Sequence, residues 1–133
     1  MRFVLDASVT INWAMRDESN SVADRAFSEL SSGTALVPSI WWYEVRNILV
    51  VNERRHRITP SDSDQFLSDL LQLDITIEND LDSTSVLNLS RRLGQTIYDA
   101  AYLALAARER LPLATLDKHL ESTASAEGIA LLA

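Results

Sequence analysis

Short apolar runs alternate along the chain with longer segments whose apolar residues recur at helical spacing. The apolar runs at 3–5, 35–37, 112–116 and 129–132 predict strands, because short apolar segments are typical of buried parallel strands, and the alternation over 73–77 predicts another. Helical spacing predicts helices from Ile11 to Ala14 and over 20–30, 40–51, 59–71, 80–93 and 97–107, with a short helix before the last strand. This alternation indicates an α/β fold with a parallel sheet and helices on both faces.

Polar residues mark several predicted helix ends. Ser8 and Ser39 each stand where a helix begins and are candidate N-caps, and Gly94 ends the helix over 80–93. No linker, internal repeat or low-complexity segment interrupts the pattern, so we expect one domain over residues 1–133. No apolar run is long enough to span a bilayer and no signal pattern opens the chain, which predicts a soluble, cytoplasmic protein without a membrane partner.

The amino-acid composition limits the kinds of active site that the chain can contain. The absence of cysteine excludes a thiolate nucleophile and a zinc–sulfur site. A net charge of -7 argues against a simple nucleic-acid-binding module, although a metal-dependent nuclease carries clustered acids in its own site. Arginine suits phosphate contacts, and Arg46, Arg54, Arg55 and Arg57 are candidates for gripping a nucleic acid. Solvated helix ends are the alternative interpretation of these arginines.

One helix contains a carboxylate in an apolar setting. The segment 95–107 places Ile97, Ala101, Ala104 and Leu105 on one side, and Asp99 lies within it. A buried carboxylate is costly unless it is hydrogen-bonded, paired with a cation or bound to a metal. Asp99 is therefore the acid that a purely structural role explains least well.

Three more acids are expected to meet Asp99. Asp6 and Asp117 directly follow predicted strands, and Glu44 and Asp99 lie near the starts of helices that begin at the same edge of the sheet. Four like charges need protons or a cation, and oxygen ligands alone favour Mg²⁺ or Mn²⁺. Such a site suits phosphoryl chemistry with a metal-activated water. Three of the acids also have a structural alternative, since Asp6 and Asp117 could cap helices and Glu44 could pair with an arginine.

Four blocks of sequence carry a family resemblance. They are 4–8 with Asp6 and Ser8, 38–47 with Trp41, Glu44 and Asn47, 96–106 with Asp99, and 113–117 with Thr115 and Asp117. Together, and in this order, they resemble the PIN-domain ribonucleases, and among these the VapC toxins of toxin–antitoxin pairs. Many members carry Asn two residues after the first Asp, where this chain has Ser8.

The resemblance implies a three-layer α/β/α sandwich with a parallel sheet of about five strands. It implies a toxin endoribonuclease that hydrolyses RNA with Mg²⁺ or Mn²⁺ as cofactor. The catalytic and metal-binding acids would be Asp6, Glu44, Asp99 and Asp117, with support from Thr115, Ser8 and Asn47. It further implies a homodimer and a cognate VapB-type antitoxin whose tail enters the acidic groove, where an arginine is a suitable partner.

Two other functions compete with this hypothesis. A receiver-like phosphoacceptor domain also gathers acids and Mg²⁺ at strand ends, but it needs an acidic pair after the first strand and a lysine at the last, and neither is present. A non-catalytic binding module of the PIN fold is the second alternative. Unused buried acids would destabilise such a module, which makes an intact set of four acids hard to explain.

Overall fold

Four parallel strands form the central sheet of the computed structural model, which describes residues 1–15 and 17–133. The strands are β1 (Arg2–Leu5), β2 (Thr34–Pro38), β3 (Ile75–Glu78) and β4 (Leu113–Ala114). Their order across the sheet is β3-β2-β1-β4, with Phe3 opposite Ala35 and Leu5 opposite Ala114. The predicted α/β fold with a parallel sheet is confirmed.

Seven helices surround the sheet in the described residues: α1 (Ala7–Asn12), α2 (Ser21–Glu29), α3 (Ile40–Arg54), α4 (Pro60–Leu70), α5 (Ser83–Leu93), α6 (Ile97–Glu109) and α7 (Lys118–Ala126). The connections β1–β2 and β2–β3 move in one direction across the sheet, whereas β3–β4 returns in the other. Because such crossovers are right-handed, α1–α4 cover one face and α5 and α6 cover the opposite face.

The last predicted strand is shorter than expected. Over 129–132 only Leu131 makes a parallel bridge, to Leu113 beside β4. The expected five-stranded sheet is therefore a four-stranded sheet with one additional bridge. The segment 129–132 lies at the edge of the sheet, which explains its short pairing. A segment with a neighbour on one side alone gains few ladder hydrogen bonds.

Helix ends follow the local chemistry in most places. Asn20 accepts hydrogen bonds from the backbone of Val22 and Ala23 at 2.8 and 3.1 Å, and Thr59 forms a capping box with Asp62. Gly94 ends α5 in the left-handed region with φ of 64°.

Two predicted caps are wrong. Ser8 lies inside α1, because the helix begins one residue earlier and Asp6 takes the N-cap position. Ser39 precedes α3 in a helical conformation and makes no side-chain cap hydrogen bond. A cap side chain reaches the next backbone N–H groups from an extended backbone, and Ser39 is not extended.

The core lies between the sheet and the helices on its two faces. Strands β1 and β2 contribute fully buried side chains, and α6 packs across β1, β2 and β4. Three large apolar residues in or next to predicted helices, whose helical spacing predicts an inward position, are exposed instead, namely Phe27, Leu71 and Ile97. Each lies near a helix end, where the neighbouring element does not reach far enough to cover it. None of the helices in the described ranges has both the length and the apolar character needed to cross a membrane.

Replacement of a buried leucine tests this packing. Leu105 is 0% exposed in α6, so Leu105→Ala is expected to lower the free energy of unfolding by about 2–5 kcal/mol through lost burial and a residual cavity. Leu71→Ala is the matched control, since Leu71 is 79% exposed and its loss is expected to cost less than about 0.5 kcal/mol. Urea denaturation followed by circular dichroism measures both, and equal losses would contradict the packing described.

Candidate active site

The candidate site lies at the carboxyl ends of β1 and β4. These strands are neighbours, and the chain leaves them toward opposite sides of the sheet. Asp6 follows β1 directly, and Asp117 follows β4 by three residues. In open α/β sheets the crevice at such a reversal of strand order is the usual place for a ligand. The topology alone therefore selects this edge.

Asp6 is the most buried of the four acids, with 7% of its surface exposed. Its Oδ2 accepts hydrogen bonds from the Ser8 hydroxyl at 2.6 Å and from the Thr115 hydroxyl at 2.7 Å. Burial raises the pKa of Asp6 above its ordinary value, and the negative charge of Asp117 adds to the increase. Both hydroxyls oppose this shift because they stabilise the ionised carboxylate.

The two hydroxyls also connect Asp6 to the loop after β4. Ser8 Oγ accepts from the backbone N–H of Leu116 at 2.9 Å, and Thr115 Oγ1 accepts from that of Asp117 at 3.1 Å. Each hydroxyl thus accepts from the loop and donates to Asp6. This arrangement holds the start of α1 and the end of β4 in one geometry.

Asp99 and Asp117 lie at the starts of two helices. Asp99 is the third residue of α6, where Thr96 accepts a hydrogen bond from its backbone N–H at 3.1 Å. Asp117 is the N-cap of α7, and its carboxylate accepts from the backbone of His119 and Leu120 at 2.9 and 3.1 Å. Asp117 therefore does cap a helix, which was its structural alternative. The same hydrogen bonds also hold its carboxylate in place at the site.

The charges of the neighbouring acids act on Asp99. Burial raises the pKa of Asp99, and the negative charges of Asp117 and Asp6 raise it further, whereas His119 lowers it.

Glu44 reaches the site from α3. Its Oε1 accepts a hydrogen bond from the Tyr102 hydroxyl at 2.7 Å, and Tyr102 is itself fully buried. Burial raises the pKa of Glu44, and the charges of Asp6 and Asp99 add to the increase. Burial also raises the pKa of Tyr102, so its hydroxyl remains a donor. Sequence reasoning missed Tyr102, although a tyrosine one turn after Asp99 in an apolar helix is a detectable signal.

No arginine, lysine or histidine in ranges 1–15 and 17–133 forms an ion pair with these four acids. None of the ion pairs in the described part of the chain contains Asp6, Glu44, Asp99 or Asp117. No three acidic or histidine side chains in ranges 1–15 and 17–133 lie close enough to hold a metal ion directly. Mg²⁺ binds one or two carboxylates and keeps several waters, so the all-oxygen donor set of these acids fits such an ion.

The remaining predicted residues lie on α3 or just beyond its end. Asn47 is exposed on α3, one turn after Glu44. Arg46 stacks its guanidinium 3.6 Å from the centre of the Trp42 ring, and because it lies two residues after Glu44 it points to another side of the helix. Arg54 follows Glu44 by ten residues, about 15 Å along the helix, and Arg55 is the C-cap, so the structure does not bring these two to Glu44. Arg57 lies beyond the end of the helix and pairs with Glu18 instead.

A comparison with family models identifies the fold family. The sequence model of the PIN domain matches residues 3–126, which is most of the chain. The chain belongs to the PIN domain family. No curated protein matches the chain in a direct sequence comparison.

Solved structures resemble this PIN domain in fold. A Pyrobaculum aerophilum protein, PAE2754, is 21% identical with a TM-score of 0.73, covering 92% of this chain and 84% of its own. A chain of VapBC2 from Rickettsia felis, bound to a DNA fragment from its promoter, is 16% identical with a TM-score of 0.69, covering 98% and 97%. VapC20 of Mycobacterium tuberculosis, a toxin that cleaves the sarcin–ricin loop, is 14% identical with a TM-score of 0.59, covering 96% of each chain. At these identities the likeness shows the fold.

Removal of the Asp6 charge is expected to stabilise the metal-free PIN domain at neutral pH. The raised pKa of Asp6 means that the folded protein holds this proton more tightly than the unfolded chain. Stability is therefore lost as pH rises from the ordinary value of 3.8 through the raised pKa. Asp6→Asn escapes this loss, because the amide oxygen still accepts both hydroxyls. Thermal unfolding with chelator should show a higher Tm for the variant at pH 7 and a difference that shrinks toward pH 4. An Asp6→Asn protein less stable than wild type at pH 7 would contradict this account.

The hydrogen bond of Tyr102 is expected to hold down the pKa of Glu44. Tyr102→Phe removes the donor, so the pKa of Glu44 should rise further, since the bond stabilises the ionised form. Carbon-13 NMR titration of the Glu44 carboxyl measures this. Tyr98→Phe is the matched control in the same helix, because Tyr98 is 54% exposed. An unchanged titration in Tyr102→Phe would show that the bond does not form in solution.

Proposed function

We propose that this PIN domain is the toxin of a toxin–antitoxin pair and hydrolyses RNA phosphodiester bonds in the cytoplasm with Mg²⁺ or Mn²⁺. The observation that carries the proposal is the uncompensated charge at the sheet edge. Burial and neighbouring charges raise the pKa of Asp6, Glu44 and Asp99, and no arginine or lysine in the described ranges pairs with any of the four acids. Protons or a bound cation can relieve such charge, and at neutral pH a divalent cation is the partner that we propose.

Asp6, Glu44, Asp99 and Asp117 would hold the metal, in part through water. A divalent ion bound there activates water as a nucleophile and stabilises the charge that develops on the phosphate and the leaving oxygen. The protein itself holds the carboxylates in position. Ser8 and Thr115 orient Asp6, and Tyr102 orients Glu44, so these carboxylates do not need to rearrange when the ion and the substrate arrive.

The RNA would lie across the acidic edge of the sheet and contact basic side chains beyond that edge. Arg46 is a candidate for this contact, since its guanidinium on Trp42 presents a cation and an aromatic face together. Asn47 is a candidate supporting residue on the same exposed side of α3. A contact of RNA with Arg54, Arg55 and Arg57 requires a substrate that extends about 15 Å beyond the acids. Arg57 also pairs with Glu18 at 2.9 Å, which makes it the least available of the three.

An antitoxin is the proposed protein partner. Similar structures include a toxin–antitoxin complex from Klebsiella pneumoniae and FitAcB from Neisseria gonorrhoeae. A groove of about 410 Å³ supports the proposal, since its lining combines apolar side chains, which include Trp13, Met15 and Phe66, with acids that include Asp17 and Asp69 and with one arginine, Arg57. Such a groove suits a basic amphipathic segment of a VapB-type antitoxin, and an arginine of its tail suits the four acids.

A homodimer would cover the exposed apolar side chains near the site. Trp42, Tyr43, Leu87, Ile97 and Tyr98 are all exposed. Several of them line a groove of about 460 Å³ at the ends of β2 and β3. Contiguous exposed apolar surface of this kind is typical of a protein interface, and a second copy of the chain is the partner that we propose for it.

Cleavage of RNA tests the proposal directly. Purified wild type should cut a total-RNA pool with Mg²⁺ or Mn²⁺ and lose this activity with chelator. Asp99→Asn should lower the rate of cleavage by about 100-fold or more while the circular dichroism spectrum stays unchanged. The reason is that Asp99 would help to hold the positive charge that stabilises the transition state. Asp80→Asn is the control, since Asp80 is an exposed acid that pairs with Arg108 away from the site.

Calorimetric titration with Mn²⁺ separates two explanations of an inactive wild type. Binding that Asp99→Asn weakens would indicate a narrow RNA substrate absent from the pool. Failure of wild type to bind Mn²⁺ at all would overturn the proposed metal-dependent activity and favour a non-catalytic PIN module.

A further inference from the structure

A buried glutamine connects three elements beside the acids. Gln95, in the loop between α5 and α6, is only 7% exposed. Its Nε2 lies 2.9 Å from the Thr123 hydroxyl and 2.8 Å from Nε2 of His119, both on α7. Its backbone is fixed as well, since its carbonyl accepts a hydrogen bond from the Ser90 hydroxyl at 2.6 Å. A polar side chain buried in this way has little freedom to turn.

The network determines which nitrogen of His119 carries the proton. The Thr123 hydroxyl donates to the backbone carbonyl of His119 at 3.0 Å, so its oxygen must accept from Gln95. The side-chain nitrogen of Gln95 therefore faces both Thr123 and His119, and its second N–H donates to Nε2 of the imidazole. A neutral ring that accepts at Nε2 carries its proton on Nδ1.

His119 lies beside one of the four acids. Its backbone N–H donates to the Asp117 carboxylate at 2.9 Å, and the Gln95 side chain that contacts its ring belongs to the loop that precedes α6, the helix of Asp99. His119 is exposed, and within ranges 1–15 and 17–133 its Nδ1 has no hydrogen-bond partner. The protein thus fixes one ring nitrogen and leaves the other open to solvent.

We propose that His119 is a substrate-binding residue whose Nδ1–H donates to a phosphate oxygen of the RNA, and that Gln95 is a positioning residue that holds His119 in this tautomer. The inference rests on the proposed ribonuclease function. Phosphate oxygens only accept hydrogen bonds, so the wrong tautomer would present a lone pair to them. Because the four acids repel phosphate and have no arginine or lysine partner in the described residues, a fixed donor at this edge favours correct placement of the substrate.

Two substitutions of His119 separate substrate contact from a structural role. In His119→Asn the amide nitrogen occupies the place of Nδ1, so the donor is kept and the contact with Gln95 is lost. In His119→Gln the amide reaches the place of Nε2, so the contact with Gln95 is kept and the donor is lost. We expect kcat/KM for RNA to fall roughly 10- to 100-fold in His119→Gln and to stay within a few-fold of wild type in His119→Asn. A merely structural role predicts the opposite order, and that result would overturn the inference.

The tautomer is measured without RNA or metal. Nitrogen-15 NMR at pH 8 should show the Nδ1–H form of His119 in wild type. In Gln95→Glu the carboxylate only accepts, so the spectrum should change to the Nε2–H form and kcat/KM should fall as in His119→Gln. An Nε2–H form in wild type would overturn the inference even where RNA cleavage is normal. A wild type that shows the Nδ1–H form and neither cleaves nor binds RNA would overturn the proposed function, and the phosphate contact with it.

Discussion

The burial of Asp6 is the constraint on which the rest of the site depends. A carboxylate that is almost fully enclosed is stable only where fixed donors surround it, and the Ser8 and Thr115 hydroxyls are those donors. Each hydroxyl can donate to Asp6 because it accepts from a backbone N–H of the β4–α7 connection. The backbone N–H of Asp6 in turn donates to Ala114 at 3.0 Å. The pairing of β1 with β4, the loop after β4 and the ionised state of Asp6 therefore depend on one another.

The topology explains why acids so distant in sequence can meet. Glu44 comes from a helix on one face of the sheet and Asp99 from a helix on the other, and their two layers approach each other only where the strand order reverses. The hydrogen bond between Tyr102 and Glu44 crosses this boundary, joining α6 to α3 beyond the strand ends. A fold with all its crossovers on one face would not enclose a site in this way.

Much of the fold could be predicted from sequence because its signals are local. The apolar runs of β1 and β2, the cap at Asn20 and the glycine at 94 each depend on a few neighbouring residues. Apart from the caps at Ser8 and Ser39, the predictions that proved wrong required knowledge of the neighbouring element. Phe27 and Leu71 have the helical spacing of core residues, yet both remain largely exposed, and the segment 129–132 lacks a partner on its outer side.

The site shows the same division between local and distant information. Asp6 and Asp117 follow apolar runs, so their position at the sheet edge could be predicted from the sequence. The contacts of Tyr102 with Glu44 and of Gln95 with His119 join residues 58 and 24 positions apart, and composition does not reveal them. The sequence indicates which acids are present, whereas the fold determines which donors hold them.

The charge of the whole chain bears on how such a site would treat RNA. At a net charge of -7 the surface repels a polyanion, and arginines that could offset this are used in ion pairs, as with Arg57, Arg92 and Arg108. Non-specific RNA binding depends on the release of counterions from basic surfaces, so this term is small here. Under the proposed function, affinity must come from the few contacts at the metal-bound edge, where a misplaced phosphate loses most of them. An acidic surface around a cation-dependent site therefore favours discrimination among RNAs over general degradation.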